Sequence, residues 1–231
     1  MSIKWINGAP YSTQFDDIYF STDDGLAETD YVFIRGNQLE SRWQTLQENQ
    51  TFTIIETGFG TGLNFLCVCK MWLSNAPASA KLSFISTEKY PLSPNELTTA
   101  LLAWPDLADI AAHLLASYAT LLETNQTILL FNESVSLTLH IGDAASSLQN
   151  EQQQADAWFL DGFAPSKNPE MWSEALFNQM ARLSHMTTTF ATFTSAGIVR
   201  RGLMQAGFSV QKITGYGKKR EMLTGTFKPE W

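Results

Sequence analysis

A glycine-rich stretch with an acidic residue in front of it is the first group of residues that could bind a ligand. Glu56 precedes "TGFGTGL", in which Gly58, Gly60 and Gly62 spell G-x-G-x-G. Glycines between a strand and a helix let the backbone approach a ligand, and the helix start offers free N–H groups. Dinucleotide-binding loops need a third glycine where this chain has Leu63. A carboxylate here would repel pyrophosphate but attract the ammonium and sulfonium groups of S-adenosylmethionine, so the pattern favours that cofactor.

Further acidic residues stand at the ends of later apolar segments. Glu88 is placed to accept hydrogen bonds from both ribose hydroxyls, and Asp143 in "IGDA" could accept one from an adenine amino group. The carboxyl ends of parallel strands meet at one edge of a sheet, so these residues and the glycine loop predict one cofactor site. Three neighbouring residues are assigned to the same site: Asn64, Gly162 and Phe163.

The segment "FLDGFAPSKNPEMW" is where we expect the reaction to take place. Asp161 follows an apolar strand, and the tight turn 162–165 lies directly after it. The segment is similar to the Asp/Asn-Pro-Pro-aromatic motif of amino-group methyltransferases. There the carboxylate would orient a substrate amine and accept the proton that the amine loses. The alternative is that Asp161 only caps the turn or the helix that begins near Pro169.

Alternating strands and helices must position these residues, which indicates a parallel sheet with helices on its faces. We predict a hairpin that turns at Asn132-Glu133, and a helix that starts with a capping box at Ser93–Glu96. The other predicted elements are strands over 52–56, 81–88, 155–161, 187–195, from 208 and over 221–227, and helices over 63–74, from Asn168-Pro169 and over 197–206. A terminal hairpin after five β/α units is typical of the class I S-adenosylmethionine-dependent methyltransferase sheet, a Rossmann-like α/β fold.

Residues 1–50 precede this pattern and are predicted to form an N-terminal extension over the cofactor cleft, while 51–231 form one compact methyltransferase domain. In the extension, "IYF" and "YVF" suggest short strands, and Asn37-Gln38 should begin a helix. Most of its aromatic residues should form a small core. Tyr31 and Asn37 are the candidates there for contact with cofactor or substrate.

Several classes of function are disfavoured by what the chain contains. No signal-peptide pattern and no apolar window of the roughly 18 to 20 residues that span a bilayer is found, so we expect a cytoplasmic protein without membrane contact. Cys67 and Cys69 point in different directions on a helix and should be packed thiols. His113, His140 and His185 have no partner at ligand spacing, so no metal is expected.

Nearly the whole chain resembles the methyltransferase half of the bifunctional tRNA 5-methylaminomethyl-2-thiouridine biosynthesis protein family. The resemblance is carried by "FDDIYFSTDDGLAETDYVFIRGNQLE", "ETGFGTGLNFL", "DAWFLDGFAPSKNPEMW", "ATFTSAGIVRRGLMQAGF" and "GYGKKREML". It implies methylation of the aminomethyl group on the wobble uridine of certain tRNAs, with S-adenosylmethionine as donor. The bifunctional form continues into a flavin-dependent oxidase domain, which is not expected in this chain. Whether the chain is free-standing or an excised half stays open.

The charge distribution bears on a tRNA partner. The net charge is −8 and the isoelectric point is about 4.8, but seven basic and two acidic residues follow Ala196. A basic end on an acidic body can bind a phosphate backbone locally. The predicted contacts to the anticodon region are Arg200, Arg201, Lys218, Lys219 and Arg220. Three alternatives remain: a basic turn that only aids solubility, an amine methyltransferase acting on a protein or metabolite, and a non-catalytic cofactor-binding module of an oxidase partner.

Overall fold

The computed structural model describes residues 3–6, 9–20, 24–124 and 127–229 of the 231. The first elements are three short strands, β1 (Ile3–Ile6), β2 (Ala9–Ser12) and β3 (Asp17–Ile18), which pair antiparallel in that order. They are followed by α1 (Gly25–Thr29), a π-helical segment (Asp30–Arg35) and α2 (Leu39–Trp43). The helix predicted near Asn37-Gln38 is confirmed, because α2 begins at Leu39.

The prediction of a strand at "YVF" is wrong, because these residues lie in the π-helical segment. Asp24 begins the helical region by accepting a hydrogen bond from the Ala27 N–H group. Val32, Phe33 and Ile34 are all buried, at 0%, 3% and 2% exposure, so the apolar run has no exposed face that an alternating strand would show. The strand predicted at "IYF" is confirmed only at Ile18, the residue with which β3 ends.

Eight strands form the central sheet in the order β10-β11-β9-β8-β4-β5-β7-β6. They are β4 (Thr51–Thr57), β5 (Lys81–Glu88), β6 (Ile128–Leu130), β7 (Val135–Ile141), β8 (Ala155–Leu160), β9 (Ser184–Thr192), β10 (Phe208–Thr214) and β11 (Glu221–Phe227). Neighbours among β4, β5, β7, β8 and β9 run parallel, and β11 lies antiparallel between β9 and β10. The predicted terminal hairpin is therefore confirmed, as is the hairpin that joins β6 to β7.

The helices are α3 (Leu63–Asn75), α4 (Pro94–Leu101), α5 (Ala108–Thr124), α6 (Ala144–Ser147), α7 (Glu174–Arg182) and α8 (Gly197–Gln205). Short 3₁₀ turns cover Pro105–Leu107, Leu148–Asn150 and Pro169–Trp172. The capping box at Ser93 and Glu96 is confirmed. The helix predicted from Asn168 is only a 3₁₀ turn, because Ser173 caps α7 through a bond from the Leu176 N–H group.

Strand β9 starts three residues earlier than predicted. Its first residue, Ser184, pairs with Ala155, and an irregularity in the register follows before Ala157 pairs with Thr189. The intervening polar residues belong to the strand although they lack an alternating pattern. Where the register is irregular, the alternation of apolar and polar residues is interrupted, so the start of the strand cannot be read from the sequence.

Successive residues of the central strands enter two separate cores. Ile54 and Phe84 pack on the side of α3 and α5, whereas Ile55, Ile85 and Trp158 pack on the side of α7 and α8. Strand side chains alternate between faces, and both faces of a helix-covered parallel sheet are apolar. The sheet edge that carries the predicted site is thus supported from both sides.

Cys67 and Cys69 are free and buried, so the prediction of packed thiols is confirmed. Burial raises the pKa of the Cys67 thiol to about 12 and that of Cys69 well above its usual range. Within the described residues, no group of His, Cys, Asp and Glu is arranged to hold a metal ion. No helix in the same part of the chain has the length and apolar character needed to cross a membrane.

Candidate active site

A cavity of about 670 Å³ opens at the carboxyl ends of the parallel strands. Its walls come from the glycine loop after β4, the ends of β5 and β7, the turn after β8, the N-terminal segment, and the loop between β10 and β11. This volume lies within the range of roughly 300 to 1,000 Å³ that is usual for small-molecule sites. The cavity is therefore large enough for a small molecule, and it opens at the sheet edge where the site was predicted.

The glycine loop contributes two of its three glycines to the cavity wall. Gly58 and Gly60 line the cavity with positive φ angles of +81° and +54°. A Cβ atom at Gly58 would lie 3.1 Å from the Gly162 Cα atom and 3.3 Å from the Met171 Cε atom, so a side chain here would crowd the turn after β8. Gly62, with φ of +69°, is the N-cap residue of α3, and its Cβ would meet the Phe59 ring at 2.8 Å. The third glycine therefore serves the turn and lies outside the cavity lining.

Glu88 ends β5 and lines the cavity as predicted. Its Oε2 atom accepts a hydrogen bond of 2.9 Å from the Gly60 N–H group, and its Oε1 atom accepts one of 2.8 Å from the Tyr90 N–H group. Burial raises the pKa of this carboxyl, and the backbone donors oppose that shift. Glu88 thus holds the glycine loop in place, while its contact to a ribose stays a prediction.

Glu56 lies below the cavity rather than in its wall, which corrects the expectation that it faces the cofactor. The side chain is 1% exposed. Its Oε1 atom accepts from the Asn64 amide at 2.9 Å, and its Oε2 atom accepts from the Ser86 hydroxyl at 2.6 Å. Burial raises its pKa well above the usual range. Because Asn64 stands between Glu56 and the cavity, the carboxyl acts through that amide.

Asn64 lines the cavity and connects several elements. Besides Glu56, its amide nitrogen donates to the Asp161 Oδ2 atom at 2.7 Å, and its oxygen accepts from the Thr29 hydroxyl at 2.8 Å. The sequence alone suggested only that Asn64 lies near the cofactor. The structure shows that it joins α3 to α1, to β4 and to the residue that follows β8.

Asp161 lines the cavity at the end of β8. Its Oδ1 atom accepts a 2.7 Å bond from the Gly162 N–H group, and its Oδ2 atom accepts the bond from Asn64. Burial raises its pKa to about 6, although those two donors oppose the shift. The alternative that Asp161 caps the next helix is wrong, because Ser173 has that role, whereas the bond from the Gly162 N–H group shows that Asp161 does hold the turn. A cavity carboxyl with a pKa near neutrality is suited to accept a proton.

Asp143, Gly162 and Phe163 also line the cavity, as predicted. The Asp143 Oδ1 atom caps α6 by accepting from the N–H and hydroxyl groups of Ser146. The Phe163 ring stacks on Phe15 at 4.7 Å between centroids. Their contacts to a cofactor stay predictions.

Two residues of the N-terminal segment do not meet the expectation of ligand contact, since both lie outside the described cavity lining. Asn37 is fully buried, and its amide donates to backbone oxygens of Phe33 and Trp158 while accepting from Thr189. Its side chain therefore attaches the segment to the sheet. Tyr31 donates its hydroxyl to the Thr214 backbone oxygen at 3.0 Å.

The five predicted tRNA-binding residues fall into two groups. Arg200 and Arg201 are exposed on α8, and Lys218, Lys219 and Arg220 are exposed on the loop between β10 and β11. Lys219 differs, because its ammonium group pairs with the Glu28 carboxylate inside the cavity rim. Sequence patterns gave no signal for Glu28, which is 191 positions away from its partner.

Three features together define a class I S-adenosylmethionine-dependent methyltransferase. In the parallel sheet β11 lies between β9 and β10, a glycine loop follows β4, and a carboxyl group stands at the end of each of β5, β7 and β8. The chain belongs to the S-adenosyl-L-methionine-dependent methyltransferase family whose model matches residues 105–228. It is accordingly an enzyme that uses S-adenosylmethionine as its methyl donor.

Curated relatives are similar over almost the whole chain. The tRNA 5-methylaminomethyl-2-thiouridine biosynthesis bifunctional protein MnmC of Methylobacillus flagellatus is 55% identical over 226 residues, which are 98% of this chain and 35% of that protein. The protein of the same name from Chromobacterium violaceum is 52% identical, over 96% of this chain and 34% of that protein. The chain thus spans about a third of the length of these relatives.

A solved structure supports the fold. The crystal structure of MnmC2 from Aquifex aeolicus superposes with a TM-score of 0.73 and covers 99% of this chain and 71% of that one, at 23% identity. At this identity the likeness concerns the fold alone. The class I sheet predicted from the terminal hairpin is confirmed.

Proposed function

We propose that this enzyme methylates the aminomethyl group of 5-aminomethyl-2-thiouridine at the wobble position of tRNA, giving 5-methylaminomethyl-2-thiouridine. The observation that carries the proposal is Asp161, a half-buried carboxyl in the cavity wall beside the glycine loop, with a pKa that burial raises to about 6. Support for the substrate comes from the relatives, which match this chain at 50 to 55% identity and are named for the biosynthesis of that nucleoside.

The cofactor would lie on the β4, β5 and β7 side of Asp161. Gly58 and Gly60 permit close approach of the backbone, Glu88 would accept from ribose hydroxyls, and Asp143 has its Oδ2 atom to accept from an adenine amino group. Bound S-adenosylmethionine supplies a methyl group on a positively charged sulfur. The carboxyl groups that line the cavity, those of Glu88, Asp143 and Asp161, would attract such a cation and repel a pyrophosphate.

Asp161 would orient the substrate nitrogen and take up one proton. The carboxylate accepts a hydrogen bond from the amine, which directs the nitrogen lone pair toward the methyl carbon. As the nitrogen–carbon bond forms and the carbon–sulfur bond breaks, the proton lost from nitrogen passes to Asp161. Asn64 and the Gly162 N–H group hold the carboxylate in one orientation.

The substrate would enter from the β8, β9 and β11 side. Tyr216 lines this part of the cavity and offers an aromatic ring face to a base that has left the anticodon stack. Lys218 and Arg220 at the rim, with Arg200 and Arg201 on α8, would contact phosphates of the anticodon region. With a tRNA substrate, we expect the enzyme to act in the cytoplasm. A flavin-dependent oxidase, fused or separate, would expose the amine.

A single-turnover assay tests the proposal. The protein is mixed with S-adenosylmethionine labelled on its methyl group and with tRNA that carries 5-aminomethyl-2-thiouridine, and the nucleosides are separated after digestion. Label is expected in 5-methylaminomethyl-2-thiouridine and is not expected with matched tRNA that lacks the aminomethyl group. Cofactor binding without transfer to either tRNA would contradict the proposal, and transfer to a protein or metabolite amine would favour the alternative substrate.

A further inference from the structure

Lys219 directs its ammonium group into the cavity wall. Its Nζ atom lies 2.6 Å from the Glu28 Oε1 atom and 4.3 Å from the centre of the Phe193 ring. A carboxylate on one side and an aromatic face on the other form an environment that binds alkylammonium ions. The Lys219 side chain therefore occupies a small cation-binding position that other residues build.

This position lies beside the group that would handle the amine. Glu28, Phe193 and Lys219 line the same cavity as Asp161. The charges of Glu28 and Lys219 both act on the Asp161 carboxyl, the first raising and the second lowering its pKa, with smaller effects than burial has. A cation held by Glu28 is thus within electrostatic reach of Asp161.

The order of the strands puts the position on the substrate side. The glycine loop, Glu88 and Asp143 follow β4, β5 and β7, which lie to one side of β8. Phe193 follows β9 and Lys219 precedes β11. Both of these strands lie on the opposite side of β8 from β4, β5 and β7. A ligand ammonium between Glu28 and Phe193 would therefore face Asp161 from the side opposite the cofactor residues.

We infer that Glu28 and Phe193 form the subsite for the primary ammonium of the substrate, and that Lys219 fills this subsite until the substrate displaces it. The inference rests on the proposed function, because it specifies how the acceptor amine is bound. The substrate binds there as an ammonium and loses one proton to solvent to become the amine. Asp161 then takes up the second proton as the nitrogen–carbon bond forms and the carbon–sulfur bond breaks.

Displacement of Lys219 should cost little. The Lys219 and Glu28 side chains are 44% and 22% exposed, and ion pairs with this much solvent contact contribute little to stability. The competition should lower the affinity for an incoming ammonium by about fivefold at most. Removal of the Lys219 charge should raise that affinity by the same factor.

The binding of ¹³C-labelled methylammonium, followed by ligand-observed NMR, tests the inference without tRNA or turnover. Lys219→Met should bind methylammonium more tightly than the unaltered protein, by up to about fivefold, and adding Glu28→Gln should abolish this binding. Lys212→Met is the matched control, because Lys212 forms a 2.7 Å pair with Glu221 on the same hairpin. That control should bind like the unaltered protein. No gain with Lys219→Met, or a gain that survives Glu28→Gln, would overturn the inference.

A second titration separates the substrate amine from the cofactor's own amino group. Lys219→Met is saturated with S-adenosylhomocysteine, which carries that amino group, before methylammonium is added. Binding that persists supports a substrate subsite, and exclusion of methylammonium overturns it.

A measurement on the unaltered protein does not depend on the folding of any variant. The ¹H–¹⁵N signal of the Lys219 ammonium should change as methylammonium is added, because the pair with Glu28 is broken, and sodium chloride at equal ionic strength should change it less. Equal effects of the two salts would overturn the inference. These results stand apart from the tRNA assay, so failure of methyl transfer and failure of the subsite are distinguishable.

Discussion

The charge on Asp161 should control the rate of methyl transfer, and Asp161→Asn measures its contribution. Asparagine keeps the size of the side chain, and its oxygen can still accept from the Gly162 N–H group, but it cannot take up a proton. General base catalysis typically contributes about 10² to 10⁴ in rate. We therefore expect the variant to transfer methyl groups roughly a hundredfold more slowly at pH 7, while it still binds cofactor.

The pKa of Asp161 makes this difference depend on pH. Burial raises the pKa to about 6 from a reference of 3.8, so the carboxylate that acts as base is present above pH 6 and is lost as the pH falls through 6. About nine tenths of the groups are ionised at pH 7 and about one tenth at pH 5. The ratio of the unaltered rate to the variant rate should fall about tenfold over this range, from roughly a hundred to roughly ten.

Single-turnover rates with the aminomethylated tRNA, measured from pH 5 to pH 7, give this ratio directly. Titration of the substrate amine affects both proteins equally and cancels. The control is Asp109→Asn, an exposed aspartate on α5, for which the ratio should stay near one. A ratio that does not change with pH would refute the assignment of Asp161 as the base, and so would a variant of normal rate. Calorimetry with cofactor shows whether the variant is folded.

Three further predictions concern the cofactor loop and the basic rim. Glu88→Gln should weaken S-adenosylmethionine binding by about 1.5 to 3 kcal/mol, because charge-assisted bonds are lost; unchanged affinity by calorimetry would rule out this contact. Gly58→Ala should lower the transfer rate by roughly tenfold or more, because its Cβ would crowd the turn after β8 at 3.1 Å. At Gly217 a Cβ meets no described heavy atom within 4 Å, so Gly217→Ala should cost about 1 to 2 kcal/mol of unfolding free energy and change the transfer rate less than Gly58→Ala does. Equal transfer rates for the two variants would contradict this expectation. Replacing Lys218 and Arg220 by Ala should reduce the slope of log affinity for tRNA against log salt by about 0.7 to 0.9 per lost contact, and an unchanged slope would show that neither binds phosphate.

The sheet and the position of the site along it could be predicted from local patterns. Strands over 81–88 and 221–227 have the predicted bounds, because turn residues and charges flank each apolar run. Asp161 and Glu88 reach the cavity because each ends a parallel strand. Such placement needs only the order of elements and the common direction of the strands.

The direction of individual side chains could not be predicted. Glu56 stands one residue before a strand end, and only the packing of Asn64 over it shows that its carboxyl is covered. Asn37 has the character of a ligand-binding amide, yet its partners are a strand and a helix more than a hundred positions apart in the chain. The pairing of Lys219 with Glu28 likewise depends on tertiary contacts, which leave no periodic signal.

Two contacts at the cavity rim and beside it join early and late parts of the chain. Tyr31 binds Thr214 across 183 positions, and Glu28 binds Lys219 across 191. During synthesis the first partner of each pair leaves the ribosome long before the second, so the rim cannot close until almost all described residues have emerged. The Glu28–Lys219 pair is also partly exposed, so we expect the rim amides to exchange hydrogen faster than those of the central strands. We therefore expect the rim of the cavity to form late in folding and to open more readily than the central sheet.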